Sequence, residues 1–216
     1  MTILLVAATE FEILPMLRRL ETRPGLPVQA LVTGVGLVAT TWALTRTLER
    51  QRPDLVLNAG IAGAYDRQLE LGAVVHVVSE QFGDLGAEEA DGALSDVFDL
   101  GLTARSAPPF INGRLENPGA ALSGFLPNVH GLTVHKAHGA ADSIEAVRKK
   151  YPTAQVESLE GGAVFYACLL AGVPFLEIRA ISNYVEPRNR AAWQIPLAIE
   201  RLNEAIAGAV EALTEK

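Results

Sequence analysis

The chain has 216 residues, 49% of them hydrophobic and 20% charged, which is an ordinary globular composition with enough length for one α/β domain. Its 18 Lys and Arg against 25 Asp and Glu give a formal charge of −7, and an acidic chain without a basic cluster repels the phosphates of nucleic acid. Its longest apolar runs are strand-sized, short of the ~20 residues that a membrane span needs, so we expect neither nucleic acid nor a membrane as a partner.

The first residues, "MTILLVAATE", lack the basic segment of a signal peptide and predict a first strand over 3–8, in a protein of the cytoplasm. Apolar runs then alternate with helical patterns, which indicates a mostly parallel sheet. Further strands are predicted over 28–33, 55–59, 73–79 and 173–178, with another starting at 156. Helices are predicted over 10–20, 37–50, 143–150, 161–171 and 191–214. Residues 83–128 are rich in Gly, Pro, Asp and Ala and predict long loops with one strand. Without a linker in the sequence, we expect one domain over 1–216.

Two of the predicted strands end in glycine-rich segments that we interpret as turns. The segment "TGVGLVAT" (33–40) matches the Gly-x-Gly-x-x-Ala pattern of dinucleotide sites, but the next strand ends without the acidic residue that holds the ribose. A dinucleotide site, a tight packing turn and a cradle of N–H groups for a sugar or anion therefore remain open. The segment "NAGIAGAY" (58–65) offers small residues that let a ligand approach the backbone.

Several predicted strand ends converge on one crevice. In open α/β sheets, ligands bind beyond the carboxyl ends of the strands. The segment "ATEFE" (8–12), both glycine segments and "ISN" (181–183) all follow predicted strands. The sequence thus predicts a ligand site at this edge of the sheet.

Taken in chain order, these motifs resemble those of the purine nucleoside phosphorylase/nucleosidase superfamily. The resemblance rests on "LLVAATEFEI", "TGVGLVAT", "NAGIAGA", "LGAVVHVVSE" and "VESLEGGAVFYACLLAGVPFLEIRAISN", and is strongest for the methylthioadenosine/S-adenosylhomocysteine nucleosidases. The ending "SNYVEPRN…W" most resembles futalosine hydrolases, the nucleosidases of the alternative menaquinone pathway. The resemblance implies a three-layer α/β/α sandwich around a central mixed, mostly parallel sheet. It also implies a small nucleoside substrate, no cofactor, no metal, and a homodimer or higher homo-oligomer.

The resemblance also assigns roles to individual residues. Glu12 stands where nucleosidases place the carboxylate that orients and deprotonates water. Glu160 stands where the family binds ribose hydroxyls, with Leu159 packed against the sugar. Arg179 matches an arginine near the water or phosphate site. The remaining substrate-binding positions are Gly60, Ile61, Ala137 and His138.

Asn183 occupies the position at which adenine-specific nucleosidases carry a catalytic aspartate. An asparagine amide can donate an N–H to O6 of a 6-oxopurine while its C=O accepts from a protonated N7. A site built for one purine edge rejects the other, because a buried polar group is then left unpaired. Asn183 therefore predicts hypoxanthine or guanine as the base. Because asparagine is not a general acid at neutral pH, the N7 proton must come from solvent or a relay.

Each of these residues also has a purely structural interpretation. Glu12, like Glu10, suits the N-terminus of a helix. Glu160 suits a helix cap, and Asn183 suits a turn. The functional interpretation of each depends on whether the structure brings these side chains into one cavity.

Water and phosphate are the two candidate nucleophiles. Phosphate needs converging cationic or N–H donors, whereas "ATEFE" carries two carboxylates and "NAGIAGA" no arginine. Hydrolysis is therefore predicted over phosphorolysis. A methylthioadenosine-type nucleosidase, a 6-oxopurine phosphorylase, an NAD(P)-dependent oxidoreductase and a nucleoside sensor remain as alternatives. Arg188 and Arg190 either meet a carboxylate on the 5′ substituent, such as the benzoate of futalosine, or are solvated charges.

Overall fold

The computed structural model of the chain describes residues 1–119 and 126–214. Its strands are β1 (Ile3–Ala7), β2 (Val28–Val32), β3 (Leu55–Ala64), β4 (Val74–Phe82), β5 (Gly86–Glu88), β6 (Leu94–Asp96), β7 (Leu115–Glu116), β8 (Asn128–Thr133), β9 (Val156–Ser158) and β10 (Phe175–Tyr184). Its helices are α1 (Glu10–Thr22), α2 (Leu37–Arg50), α3 (Ala141–Lys150), α4 (Gly161–Ala171) and α5 (Ile195–Thr214), with a 3-10 turn over Arg190–Ala192.

The main sheet is mixed and mostly parallel, as predicted, with five parallel and three antiparallel strand pairs among the described residues. Strand β3 lies between β1 and β10. From β10 the sheet continues through β4, β8 and β9, and β9 pairs back with the end of β3. These five strands close a ring, while β1 and β2 extend from β3 as an open edge. The sequence pattern does not indicate this closure.

Helices cover both faces of the sheet. On one face, α1 and α5 pack through Ile13, Leu202 and Ile206 against side chains such as Leu57 of β3. The neighbouring Val56 points to the opposite face and joins the core that α2 and α4 cover, because successive strand residues alternate between faces. The α/β architecture predicted from the sequence is therefore confirmed.

The one cysteine of the chain lies in the core. Cys168 is fully buried in α4, and burial raises the pKa of its thiol to about 12, so it is an unreactive core residue.

In the described residues, no helix is both long and apolar enough to cross a lipid bilayer.

Two predicted strand ends are wrong, and both errors matter for the site. Strand β3 continues to Ala64, so "NAGIAGAY" is extended strand with one residue beyond it and not a turn. Strand β10 continues to Tyr184, so Asn183 lies within a strand. Both strands extend because they pair with each other from Val56 to Ala64, with a register shift between Ile181 and Asn183. The backbone groups of these small residues therefore form hydrogen bonds between β3 and β10, and the predicted turns do not form.

Other elements also differ from the prediction in their bounds or were not predicted at all. Helix α5 begins at Ile195 and not at 191. Pro196 follows directly, and proline suits the first turn of a helix because its missing N–H has no partner there. The N–H of Gln194 instead bonds the Ser182 C=O at 2.7 Å. Strand β8 was not predicted, since "NVHGLT" lies beside the loop-rich region.

Candidate active site

A cavity of about 360 Å³ opens beside the carboxyl ends of β1, β3 and β10, a volume in the range of small-molecule sites. Residues from both ends of the chain line it, from Ala8 to Ile195. Eight of the ten residues that the sequence assigned to a site are in its wall: Glu12, Asn183, Leu159, Glu160, Ile61, Ala137, His138 and Arg188. The other two, Gly60 and Arg179, lie below the cavity floor.

Glu12 is held in place by three hydrogen-bond donors. Thr9 and Glu12 form a capping box at the start of α1, in which Glu12 Oε2 accepts from the Thr9 N–H at 3.1 Å and the Thr9 hydroxyl at 2.9 Å. Its other oxygen, Oε1, accepts from the Ile61 N–H at 3.1 Å. Glu12 is buried and lines the cavity, whereas Glu10 is exposed. The capping and functional interpretations thus apply to the same side chain.

The backbone around Glu12 is tied to α5 by Asn203, a residue that the sequence analysis missed. Asn203 Nδ2 donates to the Glu12 C=O at 2.8 Å, and its Oδ1 accepts from the Met16 N–H at 3.1 Å. These are the two backbone groups, one turn apart, that pair with each other in a regular helix. An asparagine beside the apolar stripe of α5 is the only sequence signal of this contact.

The "TGVGLVAT" turn is occupied by a carboxylate. Gly36 has a φ of 90°, which favours glycine, and its N–H donates to Glu160 Oε1 at 2.8 Å. A donor that a phosphate would need is therefore already paired with a negative group, which argues against the dinucleotide interpretation. Burial raises the pKa of Glu160, and the Arg179 charge and the Gly36 N–H oppose that rise.

Arg179 lies buried beneath the cavity floor. Its Nε donates to Glu177 Oε1 at 2.9 Å, and its guanidinium passes over Gly60, where an added Cβ would overlap Nη1 and lie 3.0 Å from Glu12 Oε1. Gly60 is therefore needed as space for the arginine. Burial lowers the pKa of Arg179, but the charges of Glu177, Glu160 and Glu12 outweigh it and leave the pKa raised.

Two buried glutamates, Glu177 and Glu80, lie behind Arg179, and neither was predicted as a site residue from the sequence. Asn58 Nδ2 donates to Glu177 Oε2 at 3.0 Å. The pKa of the fully buried Glu80 is raised well above its ordinary value, first by burial and then by the Glu177 charge, and Glu80 Oε2 accepts from the Thr133 hydroxyl at 2.9 Å. Burial and the neighbouring Glu177 charge thus both disfavour the ionised form of Glu80. A glutamate inside an apolar strand was the sequence signal for both Glu80 and Glu177.

The amide of Asn183 is oriented by its neighbours. Its Nδ2 donates to the Tyr184 C=O at 3.0 Å, and its Oδ1 accepts from the Ser182 hydroxyl at 2.8 Å. Because a backbone C=O only accepts, this contact identifies the nitrogen side of the amide. One N–H and one lone pair of Asn183 are left for a ligand. Gly63 pairs with Asn183 across the strands and leaves room for its side chain.

A hydrogen-bonded network of three residues, His138, Glu157 and Tyr65, connects three segments of the chain at the cavity wall. His138 Nδ1 lies 2.5 Å from Glu157 Oε2, and the His138 N–H donates to Glu157 Oε1 at 2.9 Å. The Tyr65 hydroxyl also donates to Glu157 Oε2. His138 was predicted from the sequence, whereas Glu157 and Tyr65 were not, although Glu157 is a glutamate inside a buried strand.

Arg188 extends the cavity wall towards α5. Its N–H donates to the Gly139 C=O at 3.1 Å, and its guanidinium carbon lies 5.3 Å from the centre of the Trp193 ring, within the range of cation–π contacts. Arg190 also lies near Trp193, at 5.9 Å, but Arg188 and not Arg190 is part of the wall. In residues 1–119 and 126–214, no group of three or more His, Cys, Asp or Glu side chains is placed to hold a metal ion.

Comparison with known proteins places the chain among nucleoside-cleaving enzymes. The family described as the phosphorylase superfamily matches residues 17–215. The chain is 37% identical over 198 residues to a futalosine hydrolase of Streptomyces coelicolor, covering 86% of this chain and 82% of that protein. It is 35% identical over 179 residues to a futalosine hydrolase of Acidothermus cellulolyticus, covering 82% and 72%. It shares the fold of the Neisseria meningitidis methylthioadenosine/S-adenosylhomocysteine nucleosidase in complex with methylthio-immucillin-A, with a TM-score of 0.80, 18% identity and coverage of 98% and 99%.

Proposed function

The chain belongs to the phosphorylase superfamily, and from this premise we propose that it is an N-glycosyl hydrolase that cleaves futalosine in menaquinone biosynthesis. The products are hypoxanthine and dehypoxanthine futalosine. The names of the similar proteins support this assignment. The observation that carries the hydrolytic chemistry is the Glu12 carboxylate, fixed by three donors at the wall of the cavity.

Glu12 is the general base in this proposal. Thr9 and Ile61 hold the carboxylate in one orientation, so that a remaining lone pair can accept a proton from water at the anomeric carbon. Cleavage of the C–N bond transfers the electron pair to the purine, and the activated water adds to the ribosyl cation. The pre-set orientation of the base lowers the entropic cost of this step.

Asn183 stabilises the leaving purine. Its free N–H donates to O6 and its free lone pair accepts from the protonated N7, as the orientation of its amide allows. The proton itself comes from solvent or a relay. Hydrogen bonds that strengthen as charge develops on the base favour the transition state over the bound substrate.

The remaining wall residues bind the other parts of the substrate. Glu160 accepts from ribose hydroxyls and Leu159 packs against the sugar, while Ile61, Ala137 and His138 surround the base. Arg188 meets the carboxylate of the 5′ substituent, and its stacking on Trp193 reduces the side-chain freedom that such a contact would otherwise cost. Arg179, above Gly60, balances the charges of the buried carboxylates beneath the floor.

The electrostatics of the cavity disfavour phosphate as the nucleophile. Glu12 and Glu160 line it, and the Gly36 N–H that an anion would use already pairs with Glu160. Arg179 donates through Nε to Glu177, so this glutamate below the cavity floor partly neutralises the arginine's charge. A phosphate dianion would therefore meet more negative than positive charge, whereas a neutral water would not.

We also propose that residues 1–216 form one domain, because residues near both ends of the chain line the same cavity. The enzyme acts in the cytoplasm as a homodimer or higher homo-oligomer. Exposed apolar residues on and before α2, Val35, Val38 and Trp42, support self-association, since exposed apolar patches commonly mark interfaces.

Product chromatography tests the proposal. Futalosine, methylthioadenosine, inosine and guanosine are incubated with the protein, each with and without phosphate. We expect hypoxanthine from futalosine at a rate that does not depend on phosphate. Phosphate-dependent release with a ribose 1-phosphate product would make the protein a phosphorylase, and preferential cleavage of methylthioadenosine would make it an adenine-specific nucleosidase.

A further inference from the structure

The Tyr65–Glu157–His138 network is not used by the hydrolytic step, yet two of its members, Glu157 and His138, line the cavity. Tyr65, which is 3% exposed, and Glu157, which is 5% exposed, are both buried. Buried polar groups of this kind are costly unless they are fully paired. Each contact in the network therefore restricts which atoms carry protons.

The pairing fixes the tautomer of the His138 ring. Burial and the Glu157 charge both raise the pKa of the Tyr65 hydroxyl, so Tyr65 keeps its proton and donates it to Glu157. We take Glu157 as a carboxylate and the imidazole as neutral. A carboxylate only accepts, so the shared proton is then on Nδ1, and the other nitrogen, Nε2, carries a lone pair. Nε2 has no hydrogen-bond partner among residues 1–119 and 126–214.

Strand register places this network across the floor from Asn183. Asn183 pairs with Gly63 in β3, and Gly63 pairs in turn with Glu157 in β9. Laterally paired residues project from the same face of a sheet, and two strand spacings separate Asn183 from Glu157 by about 10 Å. Gly63, between them, has no side chain. A flat purine can therefore lie over Gly63 with one edge at Asn183 and its remaining polar atoms towards His138.

Complementarity then identifies the atom that His138 contacts. If Asn183 engages O6 and N7, the six-membered ring of hypoxanthine still presents N1–H and the acceptor N3. A lone pair on Nε2 can pair only with the N1–H. Adenine carries a lone pair at N1, so the same contact would oppose two acceptors.

We propose that His138, positioned by Glu157 and Tyr65, accepts the N1–H of the base and selects 6-oxopurines over 6-aminopurines. The inference rests on the proposed function for its cavity and base orientation. It makes base choice a two-sided recognition, with Asn183 on the N7 side and His138 on the N1 side. Glu157 and Tyr65 are positioning residues: both Glu157 oxygens are engaged by His138 and Tyr65, and Tyr65 is not part of the cavity wall.

The Glu157→Gln variant tests the proposal by inverting the tautomer. The His138 backbone N–H can only donate, so it retains the glutamine oxygen as its partner. The glutamine NH2 then faces Nδ1 and the Tyr65 oxygen, both of which can accept. Nδ1 becomes the acceptor and Nε2 acquires the proton, which now suits the N1 lone pair of adenine. Glu145→Gln, an exposed change on α3, is the matched control.

The primary measurement is calorimetric binding of free hypoxanthine and free adenine to the wild type and both variants. We expect the wild type to prefer hypoxanthine and Glu157→Gln to reduce that preference by about 10–100-fold, the effect of one buried hydrogen bond. Glu145→Gln should keep the preference. A merely structural role for Glu157 would weaken both bases equally, and an unchanged preference, or a wild type without one, would overturn the proposal.

A substrate-side measurement needs no variant. Replacing N1–H by C–H in the 1-deaza analogue of hypoxanthine removes the donor at this position and moves the ring proton to N3 or O6, with nearly the same shape, so the wild type should bind it about 10–100-fold more weakly. Equal binding of the analogue and hypoxanthine would refute the N1 contact. Both measurements use free bases, so they decide the inference even if futalosine is not cleaved, and that result would count against the proposed function alone.

Discussion

In the proposed mechanism, Glu12 serves both the folding of α1 and the chemistry. Its capping contacts with Thr9 stabilise the first turn of α1, and the same contacts aim the carboxylate into the cavity. A helix cap contributes about 0.5–2 kcal/mol, which a glutamine at this position can partly replace. A glutamine cannot replace the charge that the proposed base needs, so Glu12→Gln should reduce activity much more than stability.

We predict that Glu12→Gln lowers kcat for hypoxanthine release by about 10²–10⁴-fold, the usual contribution of a general base. Steady-state kinetics on futalosine measures the effect, and a thermal melt should show a folded protein. Glu10→Gln is the control, because Glu10 lies in the same helical turn and is exposed. Equal activity of the Glu12 and Glu10 variants would remove Glu12 from the mechanism.

Asn183 offers the corresponding test at the leaving group. In Asn183→Asp, an ionised carboxylate would face O6 and cannot donate to it. We predict that kcat/KM on hypoxanthine nucleosides falls by about 10–200-fold, from one lost hydrogen bond of ~1–3 kcal/mol. The ratio of kcat/KM for inosine and adenosine is the measurement, alongside a melting curve. If the ratio does not move, Asn183 is a structural strand residue and base choice is made elsewhere.

Site residues were predictable from the sequence where a chemically suitable side chain stands in a recognisable sequence motif. Glu12, Glu160 and Asn183 stand in recognisable segments, and the structure brings all three to one cavity. Glu157 and Tyr65 were not predictable, because their significance comes from a contact between residues 92 positions apart in the chain, which depends on strand register. No local pattern specifies that register.

At the scale of elements, helices were easier to predict than strand ends. The bounds of α2 and α4 follow from their sequence patterns, since caps and glycines mark them. The ends of β3 and β10 do not, because their small residues also suit turns, and only their mutual pairing keeps them extended. The catalytic asparagine proposed here therefore sits on a strand, which is a more rigid support than a loop.

The junction of α1 and α5 is the element contact that positions the proposed base. Asn203 bonds the backbone on both sides of the Glu12 turn, and its Nδ2 also donates to the Ile199 C=O at 2.8 Å. We predict that Asn203→Leu destabilises the fold by about 1–3 kcal/mol, because buried backbone groups lose their partners. It should also lower kcat with little change in KM, since α1 shifts relative to the floor.

Urea denaturation and steady-state kinetics measure these two effects. Glu204→Gln, the exposed neighbour on α5, is the control for changes on the helix surface. A variant that loses stability but keeps the wild-type kcat would show that Asn203 supports the helix contact without positioning Glu12. Restored kcat in Asn203→Gln, whose amide carries the same donor and acceptor, would support the positioning role.

At the scale of the whole molecule, closure of the sheet explains why distant segments meet. The ring of β3, β10, β4, β8 and β9 curls the sheet so that β9 returns to the end of β3. This places Glu157 and Glu160 beside residues from the first and last thirds of the chain. A flat sheet with the same strands would leave those groups apart. The cavity is therefore a property of the closed topology and not of any one motif.

One surface of the molecule remains uncovered beside this cavity. Val38 and Trp42 on α2 are 77% and 63% exposed, and their spacing of four residues puts them on one helical face. Val35 and Phe11, also exposed, lie at the cavity wall. A second copy that covers the α2 face would therefore reach the mouth of the cavity, which links the proposed self-association to activity.

We predict that Trp42→Glu shifts the protein to monomers and lowers kcat/KM, because it places a charge in the centre of the apolar face and removes the burial that favours association. Light scattering coupled to size-exclusion chromatography measures the mass, and assays at matched concentrations measure activity. Leu102→Glu is the control, since Leu102 is 73% exposed outside this face. If the wild type is already monomeric at assay concentrations, the face does not mediate self-association, and the cavity must work without cover from a second copy.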